Sequence, residues 1–241
     1  MAITKTTRRF EENQCVEEVV SVESTVDKAE EAKSKAEAES AKATARKTLA
    51  EAELAELNLE RERRKEKSEL AKDQHHHVFL FDESVGAVSV KRCITTLSEW
   101  DRLDPNCDIE IVFDSPGGSV IDGMHLWDFL SMIKSRGHKL TTVALGMAAS
   151  MAGILLQAGD VRVLGKESYL LIHEVSFGAG GKIGEVEDEV AFVKKIQGRV
   201  LDIFASRSHL SRAKIASNWR RRDWWLDSSE ALKCGFVDEL R

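Results

Sequence analysis

Short apolar runs separated by helix-like stretches dominate the part of the chain that follows residue 77. The runs are HVFLF (77–81), AVSV (87–90), IEIVF (109–113), LTTVAL (140–145), VRVL (161–164) and YLLI (169–172). Helical patterns lie between them and after them, at about 91–103, 119–135, 149–158, 184–208 and 211–218, and SSEALKCGFVDEL predicts a terminal helix and strand. Continuously apolar strands that alternate with helices are typical of parallel sheets covered on both faces. The pattern therefore predicts an α/β fold with a largely parallel sheet flanked by helices.

The first 77 residues follow a different pattern. From Val26 to about Asp73 the chain consists mainly of Ala, Glu, Lys, Arg and Leu, which are strong helix formers. A seven-residue repeat runs through Ala29, Ala36, Ala43, Ala50 and Leu57, whereas charged residues occupy the partner positions Glu39, Arg46 and Glu53. A strict coiled coil needs apolar residues at both positions. A solvated single helix, a weak or partner-dependent coiled coil and partial disorder all stay open for this segment.

Composition divides the chain at the same place. Residues 1–77 carry 33 charged residues and neither Gly nor Pro, whereas residues 78–241 carry 43 charged residues in more than twice the length and all 15 Gly. Only the second part has the aromatic and apolar content of a sizeable core. We therefore predict a charged N-terminal arm (1–77), helical or partly disordered, followed by one globular domain (78–241).

Charge and hydropathy exclude several classes of function. The chain has 35 basic and 41 acidic residues, which argues against a dedicated nucleic-acid-binding protein. No run approaches the roughly 20 apolar residues of a membrane-spanning helix, and the start lacks the apolar stretch of a signal peptide. Four cysteines without metal-ligand spacing fit a reducing compartment, so we expect a cytoplasmic protein without nucleic-acid or membrane partners.

Three adjacent histidines, His75, His76 and His77, lie where the arm meets the domain. A metal site is one interpretation, but three consecutive side chains cannot all face one ion without an irregular backbone. A polar junction is the interpretation we favour, and we expect neither a metal nor a cofactor.

Chemically distinctive residues follow three of the predicted strands. A double-glycine loop, DSPGGS (114–119), opens one helix, and backbone N–H groups in such a loop can approach a ligand closely. Ser150, between small residues at the start of another helix, is either a helix N-cap or a nucleophile, and His173 at the end of YLLI is either structural or a general base. Because the carboxyl ends of parallel strands meet at one edge of the sheet, we expect the glycine loop, Ser150 and His173 to lie close together. A serine, a histidine and free backbone N–H groups in one place favour nucleophilic hydrolysis.

Four segments in order, DSPGGSVIDGM, GMAASMAG, YLLIHEV and RRDWWLDSSEALKCGFVDEL, resemble the Clp protease proteolytic subunit, the ClpP-type serine peptidases, over residues 78–240. The resemblance implies a ClpP/crotonase-like fold and a serine endopeptidase. It makes Ser150 the nucleophile, His173 the general base and Asp223 the third member of the triad. It also places oxyanion donors on the backbone N–H groups of Gly117 and Met151. Substrate backbone would pair with Gly118, Ser119 and Val120.

Other residues compete for some of these roles. Asp188 rivals Asp223, which could instead pair with one of the neighbouring arginines. Lys166 or Lys182 would serve in a Ser–Lys dyad, although His173 fits its own motif.

The same resemblance implies a protein or peptide substrate and a homo-oligomeric ring, with an AAA+ unfoldase as a further partner. Glu-Val-Ser after His173 and the Gly-rich FGAGGKIG depart from the housekeeping enzymes in the region through which two rings stack. The charged arm is reminiscent of phage head maturation proteases, which would make capsid or scaffold proteins the partners. Two alternatives remain: a catalytically silent ClpP-like assembly protein and a crotonase-type acyl-CoA enzyme.

Overall fold

The computed structural model describes the backbone of residues 4–241 and the side chains of residues 27–241 other than Gln74. The chain divides into two compact units, Met1–Glu69 and Leu70–Arg241. None of the helices in the described chain carries an apolar stretch of the length needed to cross a bilayer.

The first unit is a single long helix, α1 (Thr4–Leu70). Its described side chains are all exposed, as the charged composition requires. Ion pairs join successive turns, with 3.8 Å between Lys47 Nζ and Glu51 Oε1 and 3.4 Å between Arg64 Nη2 and Glu60 Oε2. Such exposed pairs each stabilise a helix by a few tenths of a kcal/mol. A coiled coil needs a second chain, so that interpretation of the arm stays a prediction.

The second unit is built on a seven-stranded sheet. Its strands are β1 (Val78–Phe81), β2 (Ile109–Ser115), β3 (Leu140–Ala149), β4 (Val161–Leu164), β5 (Tyr169–Ile172), β6 (Trp224–Leu226) and β7 (Glu239–Leu240). The order is β1-β2-β3-β4-β7, with β5 paired to the far end of β3 and β6 paired to β5. Every pairing is parallel except that of β5 with β6.

Six α-helices and one short 3-10 helix accompany this sheet. The 3-10 helix is Asp73–His76, and the α-helices are α2 (Ala87–Leu103), α3 (Val120–Ser135), α4 (Met151–Leu156), α5 (Ile183–Ser206), α6 (Arg212–Trp219) and α7 (Ser228–Cys234). One continuous apolar core joins sheet and helices, and its largest fully buried side chains include Phe81, Phe113, Phe204, Trp219 and Phe236. The predicted mixed α/β architecture with a largely parallel sheet is confirmed.

The prediction of a strand at AVSV (87–90) is wrong, because these residues form the first turn of α2. Ser89 decides this locally: its Oγ accepts a hydrogen bond from the Gly86 N–H at 2.9 Å and lies 2.8 Å from the Ser84 carbonyl oxygen. Val90, Cys93 and Leu97 then fall on one buried helical face. Core packing at helical spacing outweighs the strand preference of two valines.

A buried arginine ties the end of the chain to the middle of the domain. Arg162 on β4 donates from Nε to Asp238 Oδ2 at 2.9 Å, and its Nη1 donates to Gln157 Oε1 at 2.9 Å and to the Gly235 carbonyl at 3.0 Å. Burial on its own would raise the pKa of Asp238, but the hydrogen bonds and charge of Arg162 outweigh it and lower that pKa. The pair therefore contributes stability above the usual pKa of an aspartate, and that contribution is lost on acidification.

Candidate active site

Three strands deliver the chemical groups to one edge of the sheet. The double-glycine loop follows β2, Ser150 follows β3 and His173 follows β5. The register pairs Ala149 with Leu171, and the Ser150 N–H continues the ladder by donating to the Leu171 carbonyl at 3.0 Å. Because β3 and β5 are paired in parallel, Ser150 and His173 lie side by side at the carboxyl ends of the two strands.

Ser150 occupies a strained turn between β3 and α4. Its φ of 55° and ψ of −121° are unusual for a residue with a side chain, and such conformations cost of the order of 1–3 kcal/mol. The Oγ makes no N-cap hydrogen bond to α4, so the N-cap interpretation does not hold. Instead, Ser150 Oγ lies 2.8 Å from Nε2 of His173. This is the contact that a serine needs for activation by a general base.

The other ring nitrogen of His173 fixes which tautomer is present. Nδ1 lies 2.5 Å from the carbonyl oxygen of Glu174, which can only accept a hydrogen bond. A proton on Nδ1 satisfies this contact, and in that tautomer the Nε2 lone pair can accept the Ser150 hydroxyl proton. The ring is half-buried, so solvent reaches it only in part.

Asp223 lines the same cavity as Ser150 and His173 but makes no hydrogen bond to the imidazole in the described structure. Its side chain is exposed, just before β6. The preceding turn is held by Glu174, whose Oε2 accepts a hydrogen bond from the Arg221 N–H at 2.9 Å. Arg221 has a φ of 56°, in the left-handed region. Glu174 therefore makes two contacts. Its side chain holds the turn that precedes Asp223, and its backbone carbonyl contacts Nδ1 of His173.

The rival residues lie elsewhere in the described structure. Asp188 is exposed on α5, Lys182 precedes that helix, and Lys166 lies in the turn between β4 and β5, where its N–H bonds the Arg241 carbonyl. The lining of the Ser150 cavity contains no lysine, and Asp223 and Glu174 are its acidic residues.

The double-glycine loop packs directly against the nucleophile. Gly117 has a φ of 88°, and a Cβ there would lie 2.6 Å from Ser150 Cβ and 2.5 Å from the Ala149 carbonyl oxygen. Only glycine fits this position. Gly118 approaches a second segment closely: Val85 donates to the Gly117 carbonyl at 2.9 Å, and its own carbonyl accepts from the Ser119 N–H at 2.8 Å.

The backbone donors differ from the prediction at one position. The Gly117 N–H bonds the Ser115 hydroxyl at 3.2 Å, so it does not fit the role of an oxyanion donor predicted for it. Gly118 N–H points away from the edge that pairs with Val85, and no hydrogen-bond partner for it exists among the described residues. The N–H of Met151, at the first position of α4, also has no hydrogen-bond partner among the described residues. Gly118 and Met151 both line the cavity that contains Ser150, so two backbone N–H groups without a partner among the described residues lie beside the nucleophile.

The predicted substrate-pairing stretch is shorter than expected. Ser119 caps α3 by accepting a hydrogen bond from the Asp122 N–H at 3.3 Å, and Val120 is the first residue of that helix. Only Gly118 keeps an extended edge with free backbone groups. Val120 contributes its side chain to the cavity instead.

Sequence reasoning did not identify two polar residues of this site. Ser115 is fully buried, and its hydroxyl donates a hydrogen bond to the Glu83 carbonyl at 2.6 Å. The same hydroxyl accepts from the Gly117 N–H and so holds the glycine loop in place. A serine that ends an apolar strand directly before Pro-Gly-Gly is the signal that could have indicated this role. The role of Glu174 depends on a turn 47 residues away, and no local pattern could have revealed it.

A cavity of about 490 Å³ opens beside Ser150. Its polar lining comes from Ser150, His173, Glu174, Asp223 and Ser176. The rest of its wall is apolar and includes Val120, Met151, Ile154, Val200 and Phe204. A pocket of this size and polarity accommodates an apolar side chain next to the nucleophile.

Comparisons with known proteins return Clp proteases. The family model for Clp protease matches residues 59–241. The ATP-dependent Clp protease proteolytic subunit of Bacteroides thetaiotaomicron is 36% identical over 142 residues, which cover 58% of this chain and 63% of that protein. The subunit of Deinococcus radiodurans is 31% identical over 175 residues, covering 72% of this chain and 82% of its own length.

A third relative, the ATP-dependent Clp protease proteolytic subunit 2 of Tropheryma whipplei, is 33% identical over 140 residues, covering 57% of this chain and 76% of that protein. The match to the Bacteroides protein spans less than two thirds of its length. The resemblance predicted from four motifs is confirmed, and its extent on this chain includes the end of α1 as well as the globular unit. The chain belongs to the Clp protease family.

Proposed function

We propose that this chain is a serine peptidase that hydrolyses peptide bonds with Ser150 as its nucleophile. The observation that carries the proposal is the 2.8 Å contact between Ser150 Oγ and His173 Nε2 on a strained strand-to-helix turn. Family membership supports the same chemistry. Ser150 Oγ attacks the peptide carbonyl while His173 Nε2 takes its proton, and His173 then returns that proton to the leaving amine.

Asp223 is the acid that we assign to His173. The Glu174 carbonyl already holds the required tautomer, but a neutral carbonyl stabilises the imidazolium formed during attack less than a carboxylate does. Asp223 lines the cavity, and the turn before it is joined to the residue after His173 by the hydrogen bond from Arg221 to Glu174. In this proposal the turn moves during catalysis, so that the Asp223 carboxylate replaces the Glu174 carbonyl at Nδ1. In this proposal Glu174 is a positioning residue.

We assign the oxyanion hole to the N–H groups of Gly118 and Met151. Both are free of partners in the described structure, and they flank Ser150 from two different segments. Donors fixed before the reaction stabilise the tetrahedral oxyanion without reorganisation. The free edge of Gly118 would also hold one peptide unit of an extended substrate, since main-chain pairing accepts many sequences. The apolar wall favours an apolar side chain beside the scissile bond.

Replacing Gly118 by alanine tests the oxyanion assignment. A Cβ there would lie 2.2 Å from the Val85 carbonyl oxygen, so the loop must move and carry its N–H with it. We expect kcat for a small peptide to fall about 10²- to 10³-fold, which is the effect of losing one oxyanion donor. Gly178→Ala is the matched control, because a Cβ there meets nothing within 4 Å. A folded Gly118→Ala protein with unchanged kcat would contradict the assignment.

The surface of the globular unit carries exposed apolar side chains that would be covered if the chain self-associated. Exposed apolar side chains lie on adjoining strands β3, β5 and β6: Leu145, Met147, Tyr169 and Trp225. Tyr169 and Trp225 contact each other edge to face with ring centroids 6.5 Å apart. Such side chains are usually covered in an assembly. We therefore infer a homo-oligomer, and the names of the relatives, which describe ATP-dependent proteolytic subunits, support an ATPase as a further partner.

Labelling with a fluorophosphonate probe tests the peptidase proposal directly. The probe forms a covalent bond only with a serine that is activated by a base, so we expect stoichiometric modification of the assembled protein. Peptide mapping by mass spectrometry should place the adduct on Ser150 and not on Ser176, which lines the same cavity. An unlabelled assembled protein would favour the alternative of a catalytically silent assembly protein.

A further inference from the structure

A second cluster of chemically active side chains lies at the opposite edge of the sheet from Ser150. His77, Asp104 and Cys107 present a ring nitrogen, a carboxylate oxygen and a sulfur that all lie within 4.8 Å of one another. His77 Nε2 and Asp104 Oδ2 are 3.8 Å apart. We propose that these three residues bind a divalent transition-metal ion of the zinc type, with a structural role.

Hydrogen-bonded backbone turns hold the three residues near one another. His77 has a left-handed conformation (φ 52°, ψ 40°) between the 3-10 helix and β1, and its N–H bonds the Asp73 carbonyl. Asp104 caps α2 through its N–H, and the Cys107 N–H donates to the Asp104 carbonyl at 3.2 Å. The cluster therefore rests on two backbone turns that are themselves hydrogen-bonded.

Of the three adjacent histidines, only one belongs to this cluster. The side chain of His77 is 17% exposed, and its ring packs edge-on against Trp100 with centroids 5.4 Å apart. His75 and His76 are exposed. The irregular backbone required for a metal site near this motif is thus present at His77, and its other ligands come from the turn after α2.

A buried histidine, His138, contacts Cys107 and helps to hold it in position. The side chain of His138 is 1% exposed. Its Nδ1 lies 3.0 Å from the Cys107 carbonyl oxygen and 3.5 Å from Cys107 Sγ, and its Nε2 lies 3.0 Å from Asp101 Oδ1. Asp101 in turn pairs with Arg136. Polar groups that hold a ligand in place in this way are a general feature of protein metal sites.

The donor set selects the kind of ion. Nitrogen and sulfur ligands suit zinc and its neighbours, whereas Mg²⁺ and Ca²⁺ take oxygen ligands. In a tetrahedral zinc site with bonds of about 2.0–2.3 Å, ligand atoms lie roughly 3.3–3.8 Å apart. A nitrogen and an oxygen ligand lie about 3.3–3.5 Å apart in such a site, so the 3.8 Å between His77 Nε2 and Asp104 Oδ2 has to shorten by only a few tenths of an ångström when the ion binds. Three protein ligands leave the fourth position to a water molecule.

Binding would displace one proton. Burial raises the pKa of the Cys107 thiol, and the negative charge of Asp104 raises it further. Metal binds the thiolate, so the thiol proton goes to solvent when the sulfur–metal bond forms.

The position in the fold explains the structural role. His77 directly precedes β1, Cys107 precedes β2 and His138 precedes β3, so the cluster lies at the amino ends of three adjacent parallel strands. Ser150, His173 and Gly118 follow the carboxyl ends. An ion at the amino edge would fasten the start of the globular unit to the α2–β2 connection. The proposal is independent of peptidase activity.

Metal titration of the full-length protein without a polyhistidine tag tests this site. The parent protein carries His173→Ala, which removes a competing imidazole and peptidase activity together. We expect one Zn²⁺ per chain in competition with a chromophoric chelator. We also expect Co²⁺ to give the near-ultraviolet absorption band of a thiolate-to-cobalt charge transfer.

Variants locate the ion. Cys107→Ser should abolish the charge-transfer band and lower zinc affinity at least about 100-fold, more than loss of a supporting outer residue does. His77→Ala should weaken zinc binding while keeping the fold, which circular dichroism checks. The controls Cys234→Ser and His76→Ala should bind as the parent does. Absence of a thiolate band in the parent, or unchanged affinity in both Cys107→Ser and His77→Ala, would overturn the proposal.

Discussion

Replacing Ser150 by alanine is expected to lower kcat/KM for a small fluorogenic peptide by about 10⁵- to 10⁶-fold. The reason is that the nucleophile disappears while the base, the oxyanion donors and the apolar cavity remain. Ser150 Oγ is the hydroxyl that contacts His173 Nε2, and no other hydroxyl does so in the described structure. Residual hydrolysis would come from binding and oxyanion stabilisation alone.

The matched control for this prediction is Ser176→Ala. Ser176 lines the same cavity but is exposed, and it makes no hydrogen bond to His173 in the described chain. We expect its kcat/KM to stay within about twofold of the parent value, because its hydroxyl takes no part in the proposed chemistry. The measurement is steady-state hydrolysis of a peptide with an apolar residue before the scissile bond. Comparable activity in Ser150→Ala would contradict the proposed function.

The strand ends were predictable because a parallel sheet leaves few choices. The apolar runs at 161–164 and 169–172 coincide with β4 and β5 as the structure has them. Once β3 and β5 are neighbours, Ser150 and His173 must leave the sheet side by side. Sequence order and strand polarity therefore predict that these two residues meet, although they do not specify the 2.8 Å contact.

Features that depend on long-range packing were not predictable. β3 extends four residues beyond the predicted run, to Ala149, because β5 pairs with its second half. Gly117 and Gly118 are adjacent and chemically identical, and only the positions of Ser115 and Val85 decide which N–H stays free. No local pattern contains that information.

The relation between Asp223 and His173 is the point at which sequence and geometry differ most. The motif that contains Asp223 predicts direct contact between its carboxylate and the imidazole. In the structure, His173 Nδ1 instead lies 2.5 Å from the Glu174 carbonyl oxygen. Both acceptors hold the same tautomer. They differ in charge, since only the carboxylate offsets the positive charge that His173 gains as it takes the serine proton.

Asp223→Asn separates these two possibilities. If Asp223 pairs with His173 during catalysis, the loss of its charge should lower kcat by about 10⁴-fold, the cost seen when a triad aspartate is replaced. Asp188→Asn, an exposed change on α5, should leave kcat unaltered and serves as the matched control. A loss smaller than tenfold for Asp223→Asn would mean that the Glu174 carbonyl alone orients the base. The site would then work as a Ser–His dyad with a backbone partner, and the assignment of Asp223 would be wrong.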